Sequence, residues 1–290
     1  MATIGIFDSG VGGLSVLRRI RETVPGHRCV YYADNAYCPY GDKSAEFIVG
    51  RAREITELLL SKGADVIVVA CNTATAAAIA ALRAEYGVPF VGMEPAVKPA
   101  ALGTQTGVVG VLATAGTLKS SKYLDTRGRF EDDVRIVERA GRGFVELVES
   151  FELEGRHAEQ VVRAALEPLL EAGADRIVLG CTHYPFLLPV MRKVAAGVAR
   201  PAFAAASPVD FIDPAPAVAR RLASVLAALP AGGSDAGLPG CASPASAGPA
   251  EQPGGAPTTP ASRPEAAPEP GIELLSSGPD DVLRRLYEMS

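Results

Sequence analysis

Two cysteines of this 290-residue chain stand in matching surroundings, and thiols are its most reactive side chains. Cys71 follows the apolar run Val66-Ile67-Val68-Val69-Ala70 and precedes Asn72-Thr73. Cys181 follows Ile177-Val178-Leu179-Gly180 and precedes Thr182-His183. A single cysteine after a strand is ordinarily a small buried hydrophobe. Two at equivalent positions point instead to a shared task. A thiol with a reference pKa of about 8.5 can give or take a proton near neutrality, and a helix N-terminus behind it would favour the thiolate. The pair therefore suits proton transfer at two sides of one substrate. Cys29 in a strand, Cys38 in a Pro-containing loop and Cys241 in a low-complexity stretch have no such context. Five cysteines without framework spacing predict free thiols. No Cys-x-x-Cys and no histidine pair at ligand spacing occurs, so no metal site is expected.

Other candidates cluster around this pair. Asp8-Ser9-Gly10-Val11-Gly12-Gly13-Leu14 is a glycine-rich strand-to-helix turn. With Asp34 ending the next strand it has some likeness to a dinucleotide fingerprint, but the glycine spacing differs and Asp8 would repel a pyrophosphate. A backbone nest for a carboxylate, with Asp8 beside it, is the better expectation. Cys38-Pro39-Tyr40-Gly41 is a turn that could line a pocket. His183 lies two residues past Cys181, whereas His27 and His157 sit in polar surroundings. Glu149 falls on a short amphipathic stretch that reads first as a solvated helix face.

The elements that must position these residues alternate. Strands are expected at Ile4–Phe7, Val30–Tyr32, Val66–Val69, Val88–Val91, Val108–Leu112, Val134–Val137 and Ile177–Leu179, with helices such as Ser44–Lys62 and Arg156–Ala172 between them. Gly63-Ala64-Asp65 through Cys71-Asn72-Thr73 repeats as Gly173-Ala174-Asp175 through Cys181-Thr182-His183. Ile4–Ser9 matches Val109–Thr114 at nearly the same offset. A duplicated half follows: an α/β fold of two pseudo-symmetric lobes with largely parallel sheets. Ligands of such lobes bind beyond the carboxyl ends of the strands, so the active site is expected in the cleft between the lobes, with one thiol from each side. Crossings at Glu94–Ala96 and about Ser207–Ile212 give a first lobe of residues 1–95 plus 210–290 and a second of 96–209. Residues 231–270 hold 9 Pro, 7 Gly and 10 Ala with one Leu and no aromatic, the composition of a disordered insertion.

Bulk composition narrows the class. Hydrophobic residues make up 48% of the chain and the formal charge is −5, which suits a globular protein and argues against a nucleic-acid partner. No apolar run reaches membrane length. The N-terminus enters the first strand without a signal region, so a cytoplasmic protein is expected.

Together, Asp8-Ser9-Gly10-Val11-Gly12-Gly13-Leu14, Pro39-Tyr40-Gly41, Cys71-Asn72-Thr73, Glu94-Pro95, Ala113-Thr114-x-Gly116-Thr117 and Gly180-Cys181-Thr182-His183 resemble the glutamate racemase family of the aspartate/glutamate racemase superfamily. The resemblance implies interconversion of L- and D-glutamate without cofactor or metal, supplying D-glutamate for peptidoglycan. It implies Cys71 as the base toward D-glutamate and Cys181 toward L-glutamate, with Asp8, Glu149 and His183 tuning them. Substrate contacts would come from Ser9, Tyr40, Gly41, Asn72, Thr73 and Thr182, with Thr114 and Thr117 in addition. Homodimers are common in the family, although the sequence leaves the oligomeric state open. Gly141-Arg142 stands where the family often has Cys-Pro, and Glu146 where it often has Pro. An aspartate racemase of the same design and a two-lobed binding protein without catalysis are the alternatives.

Overall fold

The computed structural model describes residues 1–229 and 271–289; the expected insertion at 231–270, with Cys241, lies outside the described residues. Nine strands are described: β1 (Thr3–Asp8), β2 (Arg28–Ala33), β3 (Val66–Val69), β4 (Phe90–Gly92), β5 (Val108–Ala113), β6 (Arg135–Ala140), β7 (Arg176–Gly180), β8 (Asp210–Ile212) and β9 (Ile272–Ser276). They form two parallel sheets, ordered β4-β3-β1-β2-β9 and β6-β5-β7-β8.

The duplication seen in the sequence is a duplication of topology. Reversing the second order gives β8-β7-β5-β6, the counterpart of β4-β3-β1-β2. Register is kept as well: Ile4 pairs with Val66 and Phe7 with Val69, while Val109 pairs with Arg176 and Leu112 with Leu179. The central strands β1 and β5 are almost wholly buried, because helices cover both faces of a parallel sheet. Helix Ala45–Ser61, capped by Ser44, turns Ile48, Ala52, Ile55 and Leu59 inward, and helix Arg156–Glu171 does the same with Val162, Leu166 and Leu169.

The repeated Gly-Ala-Asp has a physical reason. Gly63 and Gly173 end helices at φ +82° and +93°, a left-handed conformation that favours glycine. The aspartate then ties the following strand to the lobe's first one. Asp65 Oδ2 accepts from Thr3 N at 2.7 Å. Asp175 accepts from Gln105 N at 2.8 Å and from the Thr104 and Thr106 hydroxyls at 2.5 and 3.1 Å.

The chain passes to the second sheet between Gly92 and Val97 and returns after β8. Residues 210–212, expected at the edge of the first lobe, instead form β8 and pair with β7. The strand is three residues long and follows a Pro, too short a signal to separate from a connection. β9 joins the first sheet beside β2, fastened by Glu273 to Arg28 at 2.7 Å and to Lys62 at 2.6 Å. No helix among the described residues is long and apolar enough to cross a membrane.

Replacing Asp175 with Ala leaves a partly buried amide and two partly buried hydroxyls short of their acceptor. The urea midpoint should fall by an amount equal to about 2–3 kcal/mol at unchanged slope, against about 1 kcal/mol for Asp65→Ala with its one bond. Equal costs would contradict the assignment of the larger anchor to the second lobe.

Candidate active site

Both cysteines lie just past the carboxyl ends of strands next to the central one. Cys71 caps the helix Asn72–Glu85, its sulfur accepting from Ala74 N at 3.4 Å. Cys181 follows β7 directly. It does not stand at a helix N-terminus as expected: a turn intervenes, and the short 3₁₀ segment Tyr184–Leu187 is capped by His183. The sulfurs share one small cavity, lined also by Ser9, Pro39, Tyr40, Gly41, Asn72, Thr73, Thr114, Val145, Gly180 and His183.

The two thiols have neighbours of opposite charge. The Cys71 thiol donates to Ser9 Oγ at 3.6 Å. Burial, and then the nearby Asp8 carboxylate, push its pKa well up. The expected helix-dipole preference for thiolate is outweighed here, since removing a charge from water costs more than the end of one helix returns. Cys181 Sγ lies 3.7 Å from His183 Nδ1, and His183 Nε2 is 2.7 Å from Glu149 Oε1. Burial lowers the imidazole pKa, but contacts with Cys181, Cys38 and Glu149 carry it well above its ordinary value. Burial raises the Glu149 carboxyl, yet His183, Val11 N and Cys38 hold it below the usual range. His183 is thus an imidazolium beside Cys181, with Glu149 as its counter-ion.

The glycine-rich turn is not a free nest. Asp8 accepts from Ser9 N at 2.7 Å and Gly13 N at 2.6 Å, and Glu149 accepts from Val11 N at 2.8 Å. The protein's own carboxylates take the donors that the glycine pattern offered to a ligand. Burial raises the Asp8 pKa against the pull of His183 and these amides. Gly12 makes the turn's approach to His183 feasible, because a Cβ there would meet His183 Nδ1 at 2.4 Å.

Other expected contacts divide. Asn72 is 4% exposed, and neither atom of its side-chain amide has a partner among the described residues. Such a group costs about 1–3 kcal/mol per unmet atom, a cost that a bound polar ligand would remove. Thr73 Oγ1 meets Thr114 Oγ1 at 2.9 Å and Thr117 Oγ1 at 3.3 Å across the cleft. Thr182 is turned away from the cavity, its hydroxyl donating to Asp8 Oδ2 at 3.1 Å. The Tyr40 ring lines the cavity while its hydroxyl donates to Asp34. Asp34 also holds Arg51 through two bonds of 2.7 and 2.9 Å, so it is a structural acid and not a ribose partner. Cys38, passed over in the sequence, donates to Glu149 Oε1 at 3.5 Å; no spacing links these positions. Gly141 leaves room for Tyr184, whose hydroxyl would lie 2.5 Å from a Cβ there.

The sequence pattern of Asp/Glu/hydantoin racemases matches residues 4–222. The chain belongs to the Asp/Glu/hydantoin racemase family. Glutamate racemase of Ectopseudomonas mendocina (strain ymp) is 50% identical over 226 residues, 78% of this chain and 82% of the relative. That of Pseudomonas aeruginosa PAO1 is 50% identical over 228 residues, with the same shares. The crystal structure of Escherichia coli glutamate racemase, in complex with L-glutamate and the activator UDP-MurNAc-ala, is similar with a TM-score of 0.70 at 37% identity, covering 78% of this chain and 83% of that one.

In this member of the racemase family, the His183–Glu149 pair sets a pH signature. The imidazole pKa is raised above 6.5, so its stabilising charge is complete below that pH and lost as pH rises through the folded value. The Glu149 pKa is lowered from 4.5, so its contribution is present above that pH and lost on acidification. In Glu149→Gln, burial of an unpaired imidazole dominates and stability should instead rise with pH. The Tm gap between the two proteins should be widest near pH 6 and narrow toward about pH 9. A gap independent of pH would refute the imidazolium assignment.

Proposed function

We propose that the protein is a cofactor-independent glutamate racemase that uses Cys71 and Cys181 as opposed acid/bases. The observation that carries this reading is the placement of two buried thiols, one from each duplicated sheet, on a single cavity. Racemisation takes a proton from one face of the α-carbon and returns one to the other, and two fixed groups do this without turning the substrate.

The charges around the thiols give each a resting role. Cys71, buried beside Asp8, holds its proton and is a donor. Cys181 faces the His183 ring, with Nδ1 3.7 Å from its sulfur, and we assign it the part of the base. From L-glutamate, Cys181 removes the α-proton and Cys71 protonates the opposite face. From D-glutamate the roles reverse, with Asp8, its carboxyl pKa already raised by burial, beside the thiol that must ionise. The unpaired Asn72 amide and the Ser9, Thr73 and Thr114 hydroxyls supply neutral donors for the substrate carboxylates and for the charge that develops as the proton leaves. Since Thr73 and Thr114 bond across the cleft, the lobes part to admit substrate and close to exclude water. We place the reaction in the cytoplasm, where it supplies D-glutamate for peptidoglycan.

The test uses circular dichroism of purified protein with L- or D-glutamate and no added cofactor. Wild type should bring either enantiomer to zero ellipticity. Cys71→Ser and Cys181→Ser should each slow racemisation by about 10²–10⁴-fold. In deuterated water, Cys71→Ser should still exchange the α-proton of L-glutamate, and Cys181→Ser that of D-glutamate. Substantial racemisation by either variant would sink the two-thiol mechanism.

A further inference from the structure

Cys38, Glu149 and His183 come from three separate segments, yet one sulfur, one carboxylate oxygen and one ring nitrogen from them lie within 4.8 Å of one another. Cys38 Sγ is 3.5 Å from Glu149 Oε1, and His183 Nε2 is 2.7 Å from the same oxygen. Thiolate, imidazole and carboxylate are the three ligand types of protein zinc sites, and three of them with one open position form an accessible centre. Bonds of about 2.3 Å to sulfur and about 2.0 Å to nitrogen and oxygen, at tetrahedral angles, set sulfur and oxygen about 3.5 Å apart and nitrogen and oxygen about 3.3 Å apart. The first separation is already present. The second requires the His183–Glu149 pair to open by roughly half an ångström.

We propose that Cys38, Glu149 and His183 form a reversible, inhibitory Zn²⁺ site at the edge of the cleft. Gly10 lets the ligands gather, because a Cβ there would stand 1.9 Å from Glu149 Oε1 and 2.9 Å from Cys38 Sγ. Cys38 is only partly buried, so the ion reaches the buried histidine from the side of the Cys38 loop. The other titratable groups facing the cluster are Asp8, Cys181 and Tyr31. Spacing in the sequence could not show such a site, since no two of its ligands share a motif.

Binding is a proton exchange. Zn²⁺ takes the place of the Nε2 proton of the His183 imidazolium and of the Cys38 thiol proton, while Glu149 binds as the carboxylate it already is. About two protons leave to solvent for each ion, and no electrons move. Because thiol and imidazole bind the ion deprotonated, affinity should rise with pH. Occupancy leaves the net charge of the cluster unchanged but replaces the His183–Glu149 hydrogen bond with two bonds to the metal, and so fixes in a shifted position the ring that faces Cys181. The inhibitory consequence rests on the proposed racemase reading; the binding does not.

The experiment is calorimetric titration of the metal-free full-length protein with ZnCl₂, in two buffers of different ionisation enthalpy. One ion per chain and about two protons released are expected. Cys38→Ala should weaken binding at least about tenfold, and its racemisation, whatever its metal-free rate, should no longer fall when zinc is added. Cys181→Ala should bind zinc within about threefold of wild type, because it keeps all three ligands. If Cys38→Ala binds as wild type does, or Cys181→Ala loses the ion, zinc sits on the cleft thiols and the proposal is overturned. Full racemisation by the zinc-loaded protein overturns its inhibitory role. Absence of racemisation by the metal-free wild type would count against the functional reading instead, while the zinc titrations would still decide whether the site exists.

Discussion

Each lobe sends a carboxylate to the other, Asp8 fully buried and Glu149 partly so. Asp8, at the end of β1, accepts from the Thr182 hydroxyl of the second lobe, and Glu149 accepts from the Val11 amide of the first. A carboxylate without water needs several donors to remain charged, and neither acid obtains its full set from its own lobe. Closure of the cleft and satisfaction of these acids are therefore one event. Because the acids also set the charge beside each thiol, the reactive state of the site is tied to the closed arrangement of the lobes.

The duplicated scaffold presents two thiols at equivalent positions, and the departures from symmetry give them unlike surroundings. Register, helix-ending glycines and tethering aspartates repeat in both halves. Around the sulfurs the symmetry is broken. Cys71 caps a long helix beside an acid, whereas Cys181 precedes a turn whose histidine is cationic. Opposite charges at equivalent positions give two identical groups different electrostatic surroundings, which suits the proposed two-base exchange.

Much of this was legible in the residues. Seven of the strands were placed to within a few positions, because parallel strands buried on both faces are continuous apolar runs. The repeat gave the pseudo-symmetry and located both thiols. Contacts between distant segments were not legible. Glu149 has the sequence context of a solvated helix face, and only the fold brings it to Val11 and His183. Cys38 opens a turn that could line a pocket, but nothing in that turn points to Glu149 or His183. The glycine turn was recognised as a cradle for an anion, but the anions it holds are Asp8 and Glu149, which the order of residues could not show. The helix-dipole expectation for the thiols failed at Cys181 for want of a helix and at Cys71 because desolvation is the larger effect.

The central claim is that two separate thiols serve opposite faces of one carbon. Its most direct test is wild-type turnover of L-glutamate in deuterated water, sampled at early conversion and resolved by enantiomer before mass spectrometry. The account predicts D-glutamate that is deuterated at the α-carbon from the first turnovers, beside remaining L-glutamate that still carries protium. Protium passed directly to the product, or equal labelling of both enantiomers at early times, would show one base serving both faces and would contradict it.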